Sequence, residues 1–286
     1  MGEKKRIKKT RAGTLKKRSD NTMFNYGLGA IPSPNYDKII DVNEVIPSLK
    51  NFIDLPKAID HTPNMLPVRS QGQESSCVGF GVSACKEYFD KKEYSKDIIL
   101  SPRYIYEKAR KIDGIPDVEK GTTIPAALEV LKEQGACEES FWPYIENNKG
   151  TPNDGYVENA KKYRIKSYAR ITSTMDVFKV LATHGPCLML VPVYKSWNEE
   201  PAESTGKLPI PPRNLELVKK EKFPASDSEN STGWHCICIV GYNDDTQTLK
   251  FKNSWGPWGE NGYGYLPYEY FRLDRIELYT MIDIVG

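Results

Sequence analysis

At 286 residues, with 39% hydrophobic and 27% charged side chains and a formal net charge of +2, the chain has a globular composition and can bury a sizeable core. No stretch approaches the roughly 18 apolar residues that mark a membrane span, and the N-terminus has no apolar run of signal-peptide type. This points away from secretion by that route and towards a cytoplasmic protein, with delivery by a non-classical route left open.

The charge is unevenly spread. Of 40 Lys and Arg against 38 Asp and Glu, nine basic residues fall within the first eighteen positions beside the single Glu3, so residues 19–286 carry about −6. Residues 1–20 read as a basic disordered arm, a solvated charge run whose sharper alternatives are contact with an anionic partner or a translocation signal. Met1-Gly2 begins like a myristoylation site, but Arg6 stands where Ser or Thr is wanted. Residues 21–54 form an irregular N-terminal extension.

From there the chain alternates helical and strand patterns. Val78, Val82, Cys85 and Phe89 recur at helical spacing after the turn-prone Gly72 and Ser75-Ser76, so a helix is expected over 77–92 with Cys77 at its first position. Two more are expected over 102–112 and 124–134, the latter stopped by Gly135. The apolar run Cys187–Val193 reads as a central strand. Residues 198–232, rich in Pro, Lys and Glu, read as a long insertion loop. The Asp244-Asp245 turn pairs Ile237–Tyr242 with Leu249–Ser254 as an antiparallel hairpin, bringing His235 and Asn253 to one end. The fold class expected is α+β.

These residue types make a thiol hydrolase site. A thiol reacts as its thiolate, so it needs a base and an electropositive seat. A helix N-terminus supplies the seat for Cys77. Asn253 can orient His235, and His235 can activate Cys77. Gln71, six residues before Cys77, can join the Cys77 backbone N–H as an oxyanion donor. The other five cysteines fall in apolar contexts and read as core thiols without disulfides. His235 with Cys236 and Cys238 makes a weak metal reading, because no CxxC pair is present. No cofactor is expected.

In order and context, Gln71, Cys77, His235 and Asn253 resemble the papain-like cysteine peptidases. Supporting pieces are PVRSQG before the nucleophile, Gly135 followed by Trp142-Pro143-Tyr144, Gly185-Pro186 before an apolar strand, and KNSWGPWGENGYG around Asn253. The resemblance implies a peptidase domain over 55–286, with a helical lobe at about 65–160, a β-rich lobe at about 161–286 and the cleft between them. It implies a cysteine endopeptidase or exopeptidase acting on a peptide or protein substrate through a thioester acyl-enzyme. It also implies that Trp255 shields the His235–Asn253 bond, that Gly121-Thr122 lines the substrate backbone, and that Ile124, Leu190 and Cys236 lie near the main specificity pocket. Residues 19–54 are too short for the family's long helical pro-domain, which suggests control through the arm, the insertion or expression.

The chain also departs from the pattern. C-G-[SA]-C-[WY] becomes Glu74-Ser75-Ser76-Cys77-Val78. Thr122 replaces the second glycine of a pair, and Trp234 precedes His235. Two other functions stay open: transpeptidation or amide hydrolysis by the same triad, and a catalytically weak binding protein on a peptidase fold.

Overall fold

A computed structural model of the chain describes residues 16–17, 23–24, 26–52, 54–115, 120–210, 231–273 and 276–283. Of the basic arm, only Lys16–Lys17 is described, paired antiparallel with Met23–Phe24. The rest of the arm, and residues 211–230 of the insertion, lie outside the described residues.

Four helices form where capping chemistry and apolar spacing agree. α1 (Cys77–Tyr94) ends at Ser95, whose φ of 54° is the left-handed turn that stops a helix. α2 (Pro102–Ile112) starts with Pro102 at its first position, and the Ser101 hydroxyl accepts the Tyr104 N–H at 3.0 Å. α3 (Ile124–Glu133) and α4 (Thr174–Thr183) are capped in the same way by Thr123 and Ser173. α1 is buried on every side from Cys77 to Asp90, because it runs between α2, α3 and the sheet.

Nine strands are needed to place the site: β1 (Ala30–Ile31), β2 (Ala58–Asp60), β3 (Thr122–Thr123), β4 (Ile165–Arg170), β5 (Cys187–Tyr194), β6 (Ser231–Asn243), β7 (Thr248–Lys252), β8 (Tyr263–Pro267) and β9 (Glu277–Asp283). Seven form one antiparallel sheet in the order β8-β7-β6-β5-β9-β4, with β2 also paired to β6. The expected hairpin is there: Tyr242 faces Leu249 and Asn243 faces Thr248, with a bulge between Ile239 and Gly241. β5 is buried along all eight residues and sets Val191 opposite His235 and Leu190 opposite Cys236. The insertion is not loop throughout, since Ala202–Thr205 forms a helical turn and Ser231 already belongs to β6.

Side chains alternate across β6. Ile237 and Ile239 pack with Trp197, Trp255 and Trp258, whereas Cys236, Cys238 and Val240 pack against α1. This alternation puts His235 on the opposite face from Cys236 and Cys238, so the three do not converge as metal ligands would. All six cysteines are free and buried.

Ion pairs tie the helices to the sheet. Lys86 of α1 bonds Asp90 and reaches Asp283 of β9 at 2.9 Å. Arg69 meets Glu87 at 2.6 Å, and Lys252 donates to the Leu66 carbonyl at 2.7 Å. His61 and His184 are structural, with ring Nε2 atoms 2.7 Å and 2.8 Å from the carbonyl oxygens of Leu181 and Met281.

Candidate active site

Cys77 opens α1 and His235 lies on β6, which packs against that helix. Both are fully buried. Asn253 is the first residue past β7, so the hairpin register delivers its side chain to His235. The Nε2–H of His235 donates to Asn253 Oδ1 at 2.8 Å, and the Ser254 N–H donates to the same oxygen at 2.8 Å. With the proton held on Nε2, the lone pair of neutral imidazole is on Nδ1, which has no hydrogen-bond partner among the described residues. The indole of Trp255 stacks on the His235 ring, with centroids 4.6 Å apart and planes 29° apart, and so covers the pair on one side.

Burial governs both titrating groups. It pushes the Cys77 thiol up to about 11, against the pull of the N–H groups of Cys236, Gly29, Val78 and Ala30. It pulls His235 down to about 4, against the opposing effect of Asn253. Between these values the resting pair is thiol and neutral imidazole.

Gln71 is also fully buried. Its Oε1 accepts the Ser254 hydroxyl at 2.6 Å. Its Nε2 donates to the Glu74 carbonyl at 2.7 Å and to the Gly27 carbonyl at 3.0 Å. Both amide hydrogens are therefore occupied, one of them by a residue of the N-terminal extension.

That extension crosses the site. Tyr26 stacks on the outer face of Trp255 at 4.9 Å with planes 4° apart. Gly27 N–H donates to Gly72 O at 3.0 Å, Gly29 and Ala30 present their N–H groups to Cys77, and Ala30–Ile31 pairs in parallel with Thr122–Thr123. The backbone lies flush against the loop before Cys77: a Cβ on Gly29 would come within 2.1 Å of Ser75 O, and one on Gly27 within 2.2 Å of Glu74 O. Residues 26–31 thus occupy the cleft, entering beside Trp255 and leaving beside Thr122. The sequence suggested control elsewhere because this segment has neither helical length nor periodicity; it fits through its lack of side chains.

Of the residues expected to bind substrate, Gly121, Thr122 and Trp255 meet the extension directly. A Cβ on Gly121, at φ +83°, would lie 1.7 Å from Gly29 O, and the Thr122 N–H donates to that oxygen at 2.9 Å. The Thr122 side chain does not obstruct the channel: its hydroxyl turns away to Asp113. Ile124, Leu190 and Cys236 are buried in one cluster with Ala30. Sequence reading missed Glu277, opposite Leu190 on β9, whose Oε1 accepts the Ser33 N–H at 2.6 Å where the extension leaves the cleft. An acidic residue opening a late strand gave no local signal for this role.

The papain family cysteine protease pattern matches residues 55–275, and the chain belongs to that family. Like its relatives, it is a thiol protease of the hydrolase class with an α+β, two-lobed fold. An uncharacterized peptidase C1-like protein of Acanthamoeba polyphaga mimivirus is 26% identical over 246 residues, 82% of this chain and 71% of that protein. Cysteine proteinase 1 of Entamoeba histolytica is 27% identical over 223 residues, 74% of this chain and 63% of that protein. Among solved structures, xylellain, a cysteine protease from Xylella fastidiosa, superposes with a TM-score of 0.76 at 25% identity, covering 96% of this chain and all of that one.

Proposed function

We propose that Cys77 is the nucleophile of peptide-bond hydrolysis, His235 its acid–base partner, Asn253 the residue that orients His235, and Gln71 with the Cys77 N–H the oxyanion donors. The observation that carries this reading is the 2.8 Å Nε2–H···Oδ1 bond from His235 to Asn253, which leaves Nδ1 free to take the Cys77 proton. Sulfur then attacks the scissile carbonyl carbon, and the carbonyl electron pair moves onto oxygen. Collapse of that oxyanion breaks the C–N bond, and the imidazolium returns the proton to the leaving amine. Water, deprotonated by His235, hydrolyses the thioester and regenerates the thiol.

Residues 26–31 leave no room for a substrate on Cys77, so turnover requires them to move. Ile124, Leu190 and Cys236 share a buried apolar cluster with Ala30 of the extension, which supports a preference for an apolar substrate side chain there. The nine cations in residues 1–18 suit an anionic partner, and removing those residues should abolish retention on an anionic matrix without affecting hydrolysis. The central test is incubation with an epoxide-type thiol reagent beside a Cys77→Ala control, with the adduct mapped by mass spectrometry. Selective labelling at Cys77 is expected; no adduct on folded protein after prolonged incubation would overturn the assignment.

A further inference from the structure

We propose that the buried ion pair of Glu74 and Arg103 positions the oxyanion-binding amide of Gln71, making both of them positioning residues for the reaction. This rests on the roles given above to Cys77 and Gln71.

Glu74 stands where the family pattern has its first cysteine, in the loop between Gln71 and Cys77. Its carboxylate is held by both terminal nitrogens of Arg103 in a two-pronged contact and by the Asn147 N–H at 2.9 Å; the Tyr144 hydroxyl, whose one proton goes to the nearer Gln71 oxygen, lies 3.1 Å away. Arg103 also donates to Glu107 at 3.2 Å and to the Ile145 carbonyl at 2.7 Å, and its guanidinium lies 4.6 Å from the Tyr144 ring centre. All three charged residues are buried. Two parallel N–H···O bonds fix direction as well as distance, which a single contact does not.

The pair reaches Gln71 by two routes. The Glu74 backbone oxygen takes one hydrogen of the Gln71 amide at 2.7 Å. The Tyr144 hydroxyl donates to the Gln71 backbone oxygen at 2.8 Å and also contacts Ser76, the residue before the nucleophile, at 2.8 Å. With Oε1 held by Ser254, the second amide hydrogen has one direction left, towards the oxygen of Gly27. That oxygen marks where a substrate oxyanion would be received. A donor swung away from that point loses most of its effect, because transition-state stabilisation depends on its alignment before reaction.

The test uses the full chain in a Gly29→Ala background, where a Cβ 2.1 Å from Ser75 O should lift the segment, with three further substitutions: Glu74→Gln, Arg103→Met and the two together. Glu74→Gln should lower kcat by roughly 10- to 100-fold with KM within about twofold. Alkylation of Cys77 by iodoacetamide should keep its rate, since C–S bond formation with loss of iodide develops no oxyanion. Inhibition by a peptide aldehyde, whose adduct places oxygen in the hole, should weaken in step with kcat. In the double variant Glu107 keeps Lys149 at 3.4 Å and Arg110 at 3.6 Å, so no buried charge is left unpaired and thermal stability should recover while kcat stays low. An unchanged kcat in Glu74→Gln, a kcat that recovers with stability in the double variant, or loss of the fold in both would overturn the proposal. Labelling and hydrolysis by the parent chain report separately on Cys77 itself.

Discussion

The side-chain amide of Gln71 donates to the carbonyl oxygen of Gly27 at 3.0 Å, so a residue 44 positions earlier in the chain is held by a group proposed to bind the reaction's oxyanion. The contact is not incidental, because Gly29 and Ala30 direct their N–H groups at Cys77 and Tyr26 covers Trp255. One short segment thus engages the nucleophile, the oxyanion donor and the aromatic cover of the His235–Asn253 pair.

The fit of that segment depends on two missing side chains. Gly29→Ala puts a methyl group against the Ser75 carbonyl, a backbone atom that cannot rotate aside, so the segment should lift. Hydrolysis of a fluorogenic peptide library should rise by about tenfold or more, since even 1.4 kcal/mol against the closed state changes its equilibrium that much. Equal rates for the variant and the parent chain would mean that residues 26–31 already leave freely.

Opening should also change how Cys77 responds to pH. In the closed state burial disfavours thiolate and imidazolium alike, holding the thiol at about 11 and His235 at about 4. Iodoacetamide labelling of the parent chain should therefore climb steadily with pH through the neutral range. In Gly29→Ala, water readmitted to the helix N-terminus should let the thiolate form below about pH 7.5, giving an early plateau. Identical profiles would separate the pKa shifts from the segment.

Which parts could be read beforehand follows from the range of the interactions. Cys77, His235 and Asn253 were legible because turn residues and apolar runs flank each of them, and the short Asp244-Asp245 turn fixes the register of the last two. α2 begins and ends where its spacing indicated. The spacing of α1 marked one apolar face, but its polar residues Lys86, Glu87 and Asp90 are buried as well, held by Asp283, Arg69 and Lys86, partners that local periodicity cannot supply. The hold of Arg103 on Glu74 spans 29 positions and the cleft crossing of Gly27 spans 44 to Gln71; neither leaves a local pattern.

Removing the Gln71 amide tests the oxyanion assignment directly. Gln71→Ala should cut kcat by roughly 10²–10³ with little change in KM, because the donor acts on charge that develops only in the transition state. Asn253→Ala should instead leave peptide-aldehyde binding largely intact and slow the steps that move protons through His235, visible as an altered pH profile of kcat. A rise in KM alone for Gln71→Ala would reassign that residue to ground-state binding.

Glu277 links stability to pH. Burial raises its carboxyl to about 7, against the lowering effects of its bonds to Tyr279 and the Ser33 N–H. The folded chain thus holds this proton more tightly than the unfolded chain does, so the contribution is complete below the unfolded carboxyl's range and declines as pH rises through about 7. Its ceiling is of order 3 kcal/mol, at about 1.36 kcal/mol per pH unit. Glu277→Gln keeps an uncharged group of the same shape, so the fall in melting temperature between about pH 5 and pH 8 should be smaller than in the parent chain. Asp90, which burial with Asp283 and Glu93 raises to about 7 against the opposing pull of Lys86, titrates in both proteins and cancels in the comparison. The same fall in both would place the pH sensitivity at Asp90 or elsewhere.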